Sequence, residues 1–451
     1  MKPACSAFAK SLALLLAILA AGLAPMVRAA DTALLADLAP RAALMPCADL
    51  AAIDLAGATG APTTIAAQTV SGPQPTCKIS GTIAPSIRFE VRLPITGWTQ
   101  RYLQTGCGGL CGNLRIDAGK SEGCAPVTDG SIVLASTDMG HQGMDPAWGQ
   151  DPQKREDFAH RSVHVTALAA KALMKAFYGQ PQRYAYFSGC SDGGREALIE
   201  AQRYPEDFDG IAAGAPAMYF SVQNSFHHSW LARANTGAEG RPILTAPDLP
   251  LLHAAVLAAC DRLDGLADGQ ITDPRACHYD PARLGCKAAY VQGQCLTPVQ
   301  VQAVRMIYQG ARSQTGKPLE VGPLMRGSEG AWNGVFVPAN ADGPIFSARI
   351  ALDTINNLLF TPNPAQPYTV QSFPFTQAMS AMQGAARQLY NAENADLSGF
   401  TARKGKLILW HGWSDPHITP LGTIAYFDHI GRKMGTAARD DAVRLFLFPA
   451  M

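Results

Sequence analysis

The chain has 451 residues, 47% of them hydrophobic and 16% charged, with a formal net charge of +1. That balance excludes a chain too polar to bury a core, and it offers neither a basic stripe for nucleic acid nor an acidic tail for a charged partner. The length suits one large domain with an insertion, or two domains.

The N-terminus reads as a signal peptide. Lys2 and Lys10 supply positive charge, SLALLLAILAAGLAP is apolar but too short to span a bilayer, and Val27 and Ala29 place cleavage after Ala29. Residues 1–29 are therefore expected to be removed, giving a secreted or periplasmic protein. An N-terminal membrane anchor is the competing reading, and the short apolar run argues against it. No later run reaches spanning length, so no membrane partner is expected. Of eleven cysteines only Cys5 lies in the leader. The others are expected mostly as disulfides in an exported chain. Clustered cysteines also suggest a metal site, but the closest pair, Cys107 and Cys111, has no Cys or His pair near it at zinc-finger spacing.

The first strand signal is SIRFEVRL, residues 86–93, whose residues alternate. RYLQTG follows and runs into a glycine-rich loop, Gly106 to Gly112. SIVLAST, residues 131–137, is a short apolar strand, and residues 160–178 carry apolar positions at helical spacing. RYAYFSG reads as a strand ending at Gly189, followed at once by a helical stretch that stops at Pro205. FDGIAAGAP, KLILWHG and RLFLFP complete the strands. Strands alternating with helices predict an α/β protein with a parallel sheet and helices on both faces. Between about residues 218 and 400 the alternation fades into cysteines, prolines and scattered aromatics such as Trp230, Trp332 and Phe336. The return of a strand afterwards favours an inserted lid over a separate domain: core 30–217, lid 218–400, core 401–451.

Gly189-Cys190-Ser191-Asp192-Gly193 fits G-x-S-x-G, the nucleophile elbow. The turn from strand to helix needs small residues on both sides of the serine, and the helix N-terminus places partial positive charge near a developing oxyanion. Such strings also arise by chance as plain turns; the strand before and the helix after are what favour chemistry. The backbone N–H of Asp192 is one natural oxyanion donor. The loop Gly106-Cys107-Gly108-Gly109 follows an earlier strand, where such folds place the second donor, and Gly108 is its candidate.

The strings SGCSDGGREAL, FDGIAAGAPA, CDRLDGLADGQITDP, HGWSDPHITP and RLFLFPAM resemble the tannase and feruloyl esterase family, which also includes bacterial mono(2-hydroxyethyl) terephthalate hydrolases. The resemblance spans most of the chain, from the QTGCGGLCGN loop onward. It implies an α/β-hydrolase fold with an inserted lid, Ser191 as nucleophile and Asp415 as the triad acid. A carboxylate after a late strand suits that role, in the order serine, acid, histidine. In the family a His-Cys pair follows the last strand, and its cysteine bridges the one matching Cys190. Here RLFLFPAM ends at Met451 and no histidine follows His429. The 451 residues are thus expected to lack the general base and the partner of Cys190. His411 and His417 flank the acid on its own loop, away from the family's base position.

Asp261, Asp264 and Asp268 crowd one stretch, where like charges repel unless a cation neutralises them. The spacing is not that of an EF-hand, and a solvated acidic turn is the alternative. The resemblance implies calcium, structural and in the lid, held by these three side chains and by the carbonyls of Leu266 and Gln270. It also implies a Cys260–Cys277 disulfide closing this loop. Cys286–Cys295 and Cys47–Cys77 are expected as further bridges, while the pairing among Cys107, Cys111 and Cys124 stays open. The leading expectation is hydrolysis of an aromatic ester of the feruloyl or galloyl type through an acyl-enzyme, with lid aromatics holding the ring. The alternatives are a terephthalate monoester or other small ester on the same scaffold, or a catalytically silent binding protein.

Overall fold

The computed structural model describes residues 38–116, 127 and 129–451. The signal-peptide reading and Cys124 therefore lie outside the described residues. Residues 40–451 form one compact unit.

Its centre is a nine-stranded sheet: β1 (Thr63–Val70), β2 (Thr76–Ile83), β3 (Ile87–Pro94), β4 (Arg101–Thr105), β5 (Val133–Thr137), β6 (Tyr184–Cys190), β7 (Gly210–Gly214), β8 (Lys406–Gly412) and β9 (Val443–Phe448). The spatial order is β1-β2-β3-β5-β4-β6-β7-β8-β9. From β5 to β9 neighbours run parallel, whereas β1, β2, β3 and β5 pair antiparallel. The sheet is therefore mixed rather than wholly parallel, and β1 and β2 are two strands the sequence reading missed. β1, TTIAAQTV, is an edge strand with no fully buried residue, so its apolar alternation is faint. In β2 the period is broken by Gly81, which must be small because a Cβ there would lie 2.5 Å from the Phe89 ring.

The parallel strands are joined by helices. α1 (Ser162–Tyr178) precedes β6, α2 (Asp192–Arg203) follows it, and α7 (Pro420–Met434) follows β8. Between β7 and β8 come α3 (His228–Ala234), α4 (Leu249–Cys260), α5 (Pro298–Gln309) and α6 (Phe346–Asn357), and among the described residues no named strand. Part of this insertion has its own core, in which Val256, Val304, Trp332 and Phe336 are buried together. The stretch from α6 onward returns to the main core, where Ala351, Ile355, Phe373 and Tyr390 pack with the sheet's Phe187 and Leu409. Truncating a buried aromatic in such a core costs about 3–5 kcal/mol.

A buried guanidinium ties the two regions. Arg155, before α1, donates to the carbonyls of Asn357 (2.8 Å), Leu358 (3.3 Å) and Phe360 (2.9 Å), and to Asn363 Oδ1 (2.6 Å). Asn357 is the last residue of α6 and Leu358 its C-cap, so the guanidinium sits at the helix C-terminus, where a cation satisfies the end carbonyls and is stabilising. Disulfides join Cys47 to Cys77, Cys107 to Cys111, Cys260 to Cys277 and Cys286 to Cys295.

Candidate active site

β6 ends at Cys190 and Ser191 turns the chain with φ +63° and ψ −119°. Such backbone costs an L-residue of order 1–3 kcal/mol and persists only where its surroundings enforce it. Here the Ser191 N–H donates to Gly214 O at the end of β7 (3.0 Å). The Ser191 carbonyl accepts from the N–H groups of Gly194, Arg195 and Ala217 at 3.1, 3.1 and 3.0 Å. The motif's glycines are steric necessities. A Cβ on Gly189 would lie 2.8 Å from Gly193 Cα, and one on Gly193 would lie 2.7 Å from Cys107 O.

The Gly193 N–H donates to Cys107 O (2.8 Å), which seats the glycine-rich loop on the first turn of α2. The Cys107–Cys111 bridge closes that loop. Beside the elbow lies a cavity of about 260 Å³, lined by Ser191, Asp192, Gly109, Asn224, His228 and His417 among others. Gly108 faces a neighbouring cavity of about 670 Å³ together with Gly106, Cys107 and Cys190. It is Gly109, one residue beyond the Gly108 singled out from the sequence, that lines the Ser191 cavity.

Behind the elbow the charges are buried. Arg195 donates to both oxygens of Asp192, and its other N–H groups reach the carbonyls of Ala159 (2.8 Å) and Phe158 (3.1 Å). Its guanidinium also lies over the rings of Phe158 and Phe220. Glu196, one turn into α2, accepts the Cys107 N–H at 3.4 Å. Burial, then the Asp192 charge, pushes the Glu196 carboxyl up to about 8.

Asp415 sits on the loop after β8. Its Oδ1 accepts the backbone N–H groups of His417 (2.8 Å) and Ile418 (3.1 Å), and its Oδ2 lies 3.3 Å from His411 Nε2. Burial alone would raise this carboxyl; the His411 hydrogen bond and charge and the two N–H groups hold it below its ordinary value. The His411 ring is fixed, with Nδ1 2.7 Å from Thr423 Oγ1 and Nε2 3.0 Å from Ile418 O. The chain leaving β9 runs beside this loop, since Trp413 N–H donates to Phe448 O (2.9 Å) and Ser414 N–H to Met451 O (2.8 Å).

The acidic loop is exposed. Asp261 accepts Gly269 N–H, Asp264 accepts Leu266 N–H and the Thr272 hydroxyl, and Asp268 accepts Gln270 N–H. The donor set is all oxygen, which suits a hard cation. The three carboxylates are nonetheless not among the described clusters whose ligand atoms lie within 4.8 Å of one another.

Fold and elbow together define an esterase of the α/β-hydrolase type, and the comparisons agree. The structure superposes on feruloyl esterase B from Aspergillus oryzae with a TM-score of 0.72 and 29% identity, covering 84% of this chain and 74% of that one. An uncharacterized esterase of Xanthomonas campestris is 34% identical over 442 residues, covering 90% of this chain and 75% of the relative. Mono(2-hydroxyethyl) terephthalate hydrolase of Piscinibacter sakaiensis is 32% identical, covering 83% of this chain and 72% of the relative. The family described as tannase and feruloyl esterase matches residues 69–451. The chain belongs to that family.

Sequence reasoning missed Asn224, His228 and Phe346 of the cavity wall. Their only signal is the adjacent His227-His228 pair, which has no spacing that marks chemistry.

Proposed function

We propose that this protein is an exported serine hydrolase of aromatic carboxylic esters. The strained elbow carries the reading: Ser191 is held at φ +63° between β6 and α2, beside a cavity. The Ser191 hydroxyl attacks the ester carbonyl and the alcohol departs, leaving an acyl-enzyme. The Asp192 N–H and an N–H of the glycine loop stabilise the oxyanion. Water then attacks the acyl carbon, frees the acid and restores the serine. Asp415 orients the imidazole that takes and returns the proton. By family resemblance that imidazole belongs to the segment that follows β9, and the pairing of Ser414 N–H with Met451 O runs that segment beside the acid loop. The apolar N-terminal run and the four disulfides among the described residues support export.

A fluorophosphonate should label Ser191 in the full-length protein. Ser191→Ala should abolish both labelling and turnover of aromatic esters; turnover that survives the substitution would overturn the assignment. The same scaffold would serve a terephthalate monoester, a reading favoured by the 32% identity to the Piscinibacter sakaiensis enzyme.

We also propose a structural calcium ion held by Asp261, Asp264 and Asp268 with the carbonyls of Leu266 and Gln270. Supporting it are the all-oxygen donor set and the Cys260–Cys277 bridge that closes the loop. Binding would exchange the loop's own N–H contacts for the ion.

A further inference from the structure

Three titratable side chains that the reaction does not use meet where α1, α2 and the turn into β7 converge. His164 comes from the first turn of α1, Glu200 from α2, and Asp207 from the connection between α2 and β7. One ligand atom from each lies within 4.8 Å of the other two. His164 Nδ1 is 2.5 Å from Asp207 Oδ2. Glu200 is buried and points into this cluster, and among the described residues neither of its carboxyl oxygens has a hydrogen-bond partner.

A buried carboxyl group without a partner is costly to a fold. The charged groups that face Glu200 do not complete it. Asp207 and Glu196 repel its charge, and Lys171 makes its 3.0 Å contact with Asp207 Oδ1. Burial, then the Asp207 charge, pushes the Glu200 carboxyl well above its ordinary value, so without a further partner it holds a proton. A single proton completes one oxygen and leaves the other bare. A divalent cation completes both, and takes Asp207 Oδ2 and the imidazole with them.

The neighbours have the form of a supporting shell for such an ion. Lys171 holds one oxygen of Asp207 and leaves the other on the side of His164. Tyr204 stacks on the His164 ring, with centroids 3.9 Å apart, and its hydroxyl lies 2.7 Å from His160 Nδ1. One imidazole and two carboxylates suit zinc better than calcium, which takes oxygen ligands. The His164 side chain is 27% exposed, which gives an ion a way in from solvent.

We propose that His164, Glu200 and Asp207 form a binding site for a zinc-type divalent cation that joins α1, α2 and the entry to β7. The site shares no residue with the acidic loop of the lid or with the elbow, and it does not depend on the esterase reading. On binding, Glu200 releases its proton to the buffer, and the imidazole keeps its own on the nitrogen that does not coordinate.

The test titrates Zn2+ by calorimetry into the full chain, freed of other metals and held in excess calcium so that the lid loop is not the acceptor. One ion should bind with release of about one proton, read from the heats in buffers of different ionisation enthalpy. Glu200→Gln should weaken Zn2+ about a hundredfold or more and remove the proton release. Should that variant fail to fold, His164→Gln, at the exposed edge of the cluster, should show the same loss of affinity. Absence of binding, binding without proton release, or affinity retained in either variant would overturn the proposal and leave Glu200 as a buried, protonated acid.

Discussion

Arg195 grips Asp192 from one turn further along α2, at 2.7 and 2.9 Å to its two carboxylate oxygens, and both side chains are buried. Asp192 is the residue after Ser191, so this pair fixes the first turn of α2 and with it the N–H proposed as an oxyanion donor. Arg195→Met should destabilise the fold by about 3–5 kcal/mol, because it strands the Asp192 charge. Adding Asp192→Asn should recover part of the loss. Urea unfolding of the two variants checks both statements; equal stability in single and double variants would show that the carboxylate is not stranded.

Glu196 makes stability depend on pH. Its folded pKa of about 8 lies above the ordinary 4.5, so between those values the folded state holds a proton that the unfolded chain has released. Stability from this group is therefore full below about pH 4.5 and is lost as pH rises through about 8. Glu196→Gln keeps the neutral shape and should flatten that decline. Melting temperature against pH for both proteins is the measurement, and parallel curves would contradict the assignment.

Calcium should raise the melting temperature, and chelator should lower it. A ligand that binds only the folded state at a hundredfold excess over its Kd adds about 2.7 kcal/mol. Asp264→Ala should remove most of the response, since its carboxylate spans the loop from Leu266 to Thr272. Identical melting with and without chelator would leave the loop as an acidic turn closed by the Cys260–Cys277 bridge.

The α/β-hydrolase class is legible because β6, β7 and β8 are short, largely apolar runs that each end at or beside a glycine, a local signal. The turn around Ser191 is legible for the same reason, its strand, small residues and helix being contiguous. β1 is not, because an edge strand of threonine and alanine carries almost no period. The cavity wall is not either. Asn224 and His228 face Ser191 through a π turn, and Phe346 comes from the N-terminus of α6, more than a hundred residues along the chain. Helical periodicity assumes 3.6 residues per turn, and a π turn breaks that count where the site lies. Nothing in the sequence around Arg195 marks it as buried; the carbonyls that the π turn Asp157–Arg161 offers it accompany that burial.

The bonds from Arg155 to the end of α6 bear on how substrate comes and goes. α6 supplies Phe346 and Ile350 to the cavity wall, and Ser347 from the same helix holds His228. That wall is anchored to the hydrolase core by a buried cation, so opening it on this side would strip a guanidinium of several partners at once. The pocket is therefore preshaped on its α6 side, and little binding free energy goes into ordering it. Exchange of lids between relatives would have to respect this seam. A graft cut at the start of the insertion alone would separate α6 from the arginine that terminates it, whereas one that carries Gly149–Glu156 together with residues 346–363 would move the lock and its key as one piece.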